Sequence, residues 1–233
     1  TQNGKQPNNE DVVVSAISFS VEDIKSNAAS ANDPGRMAMG FPGVQPNRDS
    51  RSDIVIRGNS GIGLLWRLEG IDIPNPNHFA RFGTTGGPVS MLNNNVLSNS
   101  DFFTGAFPAE YGNALAGVFD LKMRHGNNEK YEFMAQIGFN GLEGMAEGPI
   151  SKKKGSSILI NYRYSTLELF KVIGLDFGTS ATPKYQDGSF KLRFPSKKGI
   201  TQVFGMGGLS NVNILTEADG DENEIFGDSG TDI

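Results

Sequence analysis

The chain has 233 residues, 37% of them apolar and 20% charged, with 30 glycines and a formal net charge of -5. Its length allows one or two domains, and the absence of cysteine excludes a disulfide scaffold, a thiolate metal site and a cysteine nucleophile. No apolar run is long enough for a transmembrane helix, but a barrel strand crosses in about 10 residues with alternate ones polar, so a membrane is not excluded.

The acids are concentrated at the end. From Glu217 onward the chain carries Glu217, Asp219, Asp221, Glu222, Glu224, Asp228 and Asp232 and no base. The body is therefore close to neutral, and nothing in the charge suggests a nucleic-acid partner. Residues 1–10 (TQNGKQPNNE) form a polar N-terminal segment.

Residues 11–125 alternate short apolar runs with Gly, Pro and Asn, and are expected to form a small α+β domain. Val12, Val13 and Val14 read as a short strand. A helix is expected over 21–31, with Ser20 as N-cap and Asp23 three positions on. Pro34 opens a second helical turn that Gly43 would end. Strands follow over 53–57, stopped by Gly58, and over 64–68, where Glu69-Gly70 signals a turn. A helix over 89–97 and strands over 101–107 and 117–124 complete the domain.

Residues 126–212 change period. Tyr131, Phe133, Ala135, Ile137 and Phe139 alternate with mostly polar neighbours, as do Ile158, Ile160, Tyr162 and Tyr164, then Phe190, Leu192 and Phe194. A weaker run spans 200–211. Three to four strands are expected, joined by short basic connections at 148–155 and 195–199 and a longer one over 166–184. Such alternation fits an antiparallel transmembrane β-barrel wall and equally a soluble sheet with one face on a core.

The search for enzymatic chemistry is negative. His78 and His125 are far apart in sequence, and the chain has no P-loop, no G-x-S-x-G elbow and no dinucleotide fingerprint. Asp219, Asp221 and Asn223 fall at the first ligand positions of a calcium loop, but Glu224 replaces its turn glycine and Gly230 its bidentate glutamate, which favours a solvated loop. No catalytic residue, metal or cofactor is assigned.

One constellation is specific. Phe41-Pro42-Gly43-Val44, then Ile56-Arg57-Gly58, then Leu68-Glu69-Gly70-Ile71-Asp72-Ile73-Pro74, then Glu110-Tyr111-Gly112-Asn113-Ala114-Leu115-Ala116-Gly117-Val118 occur in this order. The series resembles the plug domain of TonB-dependent outer-membrane receptors, with Glu69 where that family usually has aspartate. The resemblance implies a plug over 11–125, the first barrel strands over 126–212 of an incomplete barrel, and an acidic extracellular loop over 213–233 cut short by the end of the chain. Four strands cannot close a barrel, so the chain is expected to be part of a longer protein.

The implied function is gated, energy-coupled uptake of a scarce or large solute across the bacterial outer membrane, without catalysis. The implied partners are a TonB-type energy-coupling protein, outer-membrane lipid and an unknown solute, joined in the glycan-importing branch of the family by a surface lipoprotein lid. The resemblance implies that Arg51 and Arg57 lock the plug to wall glutamates. Asp11, Val12, Val13 and Val14 resemble the segment gripped by the coupling protein through strand addition, or else are the first plug strand. Asp72, Asn77, His78, Phe79 and Arg81 form a polar and aromatic loop expected to face substrate. The alternatives are a soluble ligand-binding β-rich module, or a hydrolase relying on Glu110 or Asp72.

Overall fold

Apolar runs of only a few residues, broken by Gly, Pro and Asn, can build only short strands, and the first half of the chain is made of them. The computed structural model describes residues 16–20, 23, 26, 33–47, 51–81, 84, 86–138, 141–165 and 181–214. Before residue 122 these hold β1 (Ala16–Phe19), α1 (Pro34–Ala38), β2 (Val44–Pro46), β3 (Ile54–Ile56), β4 (Leu64–Leu68), β5 (Ile71–Ile73), β6 (Asn77–His78), β7 (Val89–Ser90), β8 (Ser100–Phe103) and β9 (Gly117–Leu121). The main sheet has the order β1-β8-β9-β4-β5, with β4 and β9 parallel and its other pairs antiparallel.

Its core is aromatic. Trp66 stacks on Phe119 with ring centroids 4.2 Å apart, and Phe102 lies 4.4 Å from Phe119 on the same row. Each such side chain removes about 150–250 Å² from water, worth about 4–6 kcal/mol as an upper figure. Gly117 belongs to this packing, because a Cβ there would lie 3.0 Å from the Phe103 carbonyl oxygen and collide with Ile56.

Local signals set the element ends. Ser20 and Asp23 form the expected reciprocal cap, with Asp23 Oδ2 accepting from the Ser20 backbone N–H at 2.8 Å. Asp33 caps α1 by accepting from Gly35 N at 2.7 Å, and Pro34 occupies the first helical position. Burial raises the Asp33 carboxyl pKa, opposed by that hydrogen bond and by Arg36. At the β4–β5 hairpin both turn residues are left-handed, Glu69 at φ 53 and Gly70 at φ 85. That is the mirror-image turn whose twist matches paired strands, and it holds a non-glycine residue in a region costing about 1–2 kcal/mol.

The unit is more β-rich than the α+β domain expected, since among the described residues its continuous helices are the five-residue α1 and a single 3-10 turn at Gly61–Gly63. The helix expected over 89–97 does not form. β7 takes its first two residues, and Asn93 Oδ1 accepts from Asn95 N at 2.8 Å. Asparagine side chains that bond their own backbone compete with helix formation.

The second half is a regular antiparallel meander of β10 (Glu132–Gly138), β11 (Gly141–Ser151), β12 (Ser156–Tyr164), β13 (Ala181–Ser196) and β14 (Gly199–Ile214). It has five strands where three to four are expected. β11 carries little apolar alternation because one of its faces presents Leu142, Gly144, Ala146 and Gly148. The Tyr131 ring covers Gly148 where a Cβ would collide with it. The sheet is not closed on itself, and β10 and β14 are its edges among the described residues.

The polarity of the meander is the reverse of a soluble sheet. Facing away from the first unit are Phe133 (79% exposed), Ile137 (77%) and Leu209 (69%), along with exposed Ile160, Tyr162, Phe190 and Val203. Facing the first unit are Glu147, Asn161, Arg163, Asp187 and Lys191, all buried. The period of two therefore places charge inside and hydrocarbon outside.

Candidate functional site

The buried charges of the meander meet the first unit along one contact surface, and each is paired. Register brings them together: inward positions on β11, β12 and β13 fall in line, with Arg163 directly across from Asp187 and Glu143 directly across from Arg163.

Asp187 is the centre of the largest group. Its Oδ2 accepts from Arg163 Nη2 at 2.6 Å and Nε at 3.0 Å, and lies 2.9 Å from His78 Nε2 of β6. Arg163 Nη2 also donates to the Ser90 carbonyl of β7. The His78 and Asp187 side chains are 1% and 2% exposed. The Tyr185 ring closes the group, 5.1 Å from His78 and 5.5 Å from the Arg163 guanidinium. Charges taken this far from water require such partners.

Three further contacts flank it. Lys191 Nζ donates to the Met123 carbonyl at 2.7 Å and pairs with Glu69 Oε2 at 3.0 Å. Glu69 Oε1 also accepts from Met123 N, so the strained turn residue ties β4 to the meander, a reach that its longer side chain allows. Arg124 grips Glu147 through two parallel bonds of 2.7 and 2.8 Å, the geometry that makes Arg–carboxylate pairs specific. Asn95 and Asn161 both donate to Glu143 Oε1, at 2.8 and 3.0 Å. Beside Lys191, burial followed by the Lys191 and Arg193 charges lowers the His125 pKa.

The residues singled out from sequence divide into groups. His78 is buried against the meander and Asn77 is buried within the first unit, where Ser52 and Asn75 bond its side chain at 3.2 and 2.7 Å, while Arg81 is exposed and half-buried Phe79 approaches Tyr185 edge-on at 6.3 Å. Asp72 and Glu110 converge on Arg67, at 3.8 and 3.3 Å, and the Arg67 guanidinium lies 5.0 Å from the centre of the Tyr111 ring. Tyr111 in turn donates to Asp120 at 2.9 Å. Arg51 bonds Asp53 at 2.5 Å and the Gly86 carbonyl at 2.9 Å, and Arg57 donates to Thr104 at 3.3 Å, all within the first unit. Ile56 is core, and Gly58 (φ 80) and Gly112 lie in turns. Asp11, Val12, Val13 and Val14 and the acidic segment from Glu217 lie outside the described residues.

Sequence reasoning did not single out Arg124, Glu143, Glu147, Arg163, Asp187 or Lys191. In the strands the available signal was charge at alternate positions between apolar residues, such as Arg163 between Tyr162 and Tyr164.

No family model matches the chain, and no curated protein matches it. Solved structures do. The ferric enterobactin receptor of Pseudomonas aeruginosa aligns with a TM-score of 0.55 at 15% identity, over 90% of this chain and 34% of that one. The pyoverdine outer-membrane receptor of Pseudomonas aeruginosa PAO1 aligns at 0.55 and 12%, over 89% and 30%. A copper transporter aligns at 0.56 and 16%, over 86% and 32%. The chain thus spans about a third of the length of these proteins and shares its fold with TonB-dependent outer-membrane receptors.

Proposed function

We propose that this chain forms the plug, over 11–125, and the first wall strands, over 126–212, of a TonB-dependent outer-membrane receptor that takes up a scarce or large solute by gated, energy-coupled transport. The observation that carries this reading is the inverted polarity of the meander. In water the exposed Phe133, Ile137 and Leu209 would make an apolar patch that soluble monomers avoid; in lipid they are the outward band of a barrel wall. The soluble-module alternative has no use for this arrangement. The shared fold supports the same conclusion.

In this reading the protein sits in the bacterial outer membrane and performs no catalysis. Solute enters from outside, meeting Asp72, Phe79 and Arg81 on the plug. The TonB-type coupling protein adds a strand to Asp11, Val12, Val13 and Val14 and pulls. Movement of the plug then has to break or carry along the contacts of His78, Glu69, Asn95 and Arg124 with the wall, while Arg51 and Arg57 act toward wall strands outside this chain.

The test uses the complete protein in its native cell. It is expected in the outer-membrane fraction, resistant to alkaline and urea washing, with a cysteine at Val12 forming a disulfide to a cysteine in the coupling protein. Release by the wash would overturn the membrane placement, and wash-resistant protein without the cross-link would overturn the coupling.

A further inference from the structure

The two short turns at one end of the meander are both basic. β11 passes to β12 through Lys152, Lys153 and Lys154, closed by Gly155 at φ 66, and β13 passes to β14 through Lys197 and Lys198. β12 and β13 pair with Ser157 opposite Arg193, so the two turns are neighbours on one rim. The approach to β10 joins them there, with the Asn128 side chain beside Gly155.

All five turn lysines are exposed, and none makes an ion pair among the described residues. Counting Lys130, the rim carries six lysines against Glu129 and Glu132, and Glu132 is already held by Lys130 at 2.7 Å. Directly beneath them on the outward face lies an apolar and aromatic ring: Tyr131 (64% exposed), Ile150 (48%) and Phe194 (36%). The Tyr131 hydroxyl donates to the Pro149 carbonyl at 3.0 Å, so its ring is fixed with a polar tip.

We infer that the rim of Lys152, Lys153, Lys154, Lys197 and Lys198 binds the phosphate headgroups of anionic glycerophospholipids in the leaflet that meets it. The inference rests on the membrane-wall reading above. Ammonium groups stacked on an apolar and aromatic ring match a phosphate layer stacked on acyl chains, in charge and in depth. A soluble acidic partner would be served by the lysines alone and gives the apolar ring no role. Long flexible lysines also suit a fluid layer of phosphates better than one fixed anion, since they need no common geometry.

The experiment reconstitutes the complete protein into vesicles of phosphatidylcholine and phosphatidylglycerol in equal parts, floats them, extracts the protein with its bound lipid and quantifies that lipid by mass spectrometry. Phosphatidylglycerol is expected to be enriched in the retained lipid, by about fivefold per engaged lysine at low salt, and to fall toward the bulk ratio at 0.5 M salt, where the screening length is about 4 Å. A variant with all five lysines changed to glutamine should still float and should lose the enrichment. Equal enrichment in the variant, or none in the wild type, would overturn the inference and leave the membrane reading standing. Failure of the wild type to float would overturn both.

Discussion

Asp187→Ala is expected to loosen the first unit from the meander by about 3–5 kcal/mol, the usual cost of leaving a buried charge without its partner. The carboxylate it removes is the common acceptor of Arg163 and the neighbour of His78, and both side chains stay buried after its loss. Hydrogen exchange of the complete protein in detergent provides the readout, because amides of β6 and β7 are covered only while the contact holds. Protection of these strands should fall by two orders of magnitude or more, since 1.4 kcal/mol is about a factor of ten, while the β4–β9 core keeps its own. Asp72→Ala is the control: that carboxylate is 55% exposed and 3.8 Å from Arg67, and its loss should change protection little. Replacing His78, Arg163 and Asp187 together by apolar residues of similar volume should recover much of the loss, because no charge is then left unpaired. An unchanged exchange pattern in Asp187→Ala would show that the charge group does not hold the two units together.

Ile160→Arg is expected to cost about 2–4 kcal/mol of folding stability in a phospholipid bilayer. Ile160 is 45% exposed at the middle of β12 and lies across from Phe190, 40% exposed, on the outward face. In water the same exchange of one exposed side chain for another falls within about 0.5 kcal/mol of neutral. The size of the effect therefore identifies the solvent around this face. Urea unfolding of the complete protein in vesicles measures it, and a near-neutral result would place the face in water.

Much of the fold was legible from local chemistry. Ser20 with Asp23, Pro34 after Asp33, and Glu69-Gly70 each act within a few residues of themselves, and each does what its residue types require. Alternation in 131–137, 158–164 and 190–194 marked strands with two unlike faces. It could not say which face is inward, because a period of two is the same in a soluble sheet and a barrel wall. β11 was hidden by Gly144, Ala146 and Gly148, small residues whose place is set by neighbours such as Tyr131. The contact surface was hidden for another reason: its partners are brought together by register, Arg163 with Asp187 across 24 positions and His78 with Asp187 across 109. A charge inside a strand is visible in sequence, but its partner becomes visible only once the strands are paired.

The orientation of β12 and β13 can be measured directly, since these 233 residues contain no cysteine to interfere. Single cysteines at 157–164 and 186–193 of the complete protein, spin-labelled in vesicles, report access to oxygen, which concentrates in lipid, and to a water-soluble nickel chelate. Even positions such as 158, 160, 162, 188 and 190 should show high oxygen and low nickel access, and odd positions such as 159, 161, 187 and 191 should be immobile and shielded from both. Nickel access at the even positions equal to that of an exposed loop would put this face in water and contradict the membrane wall.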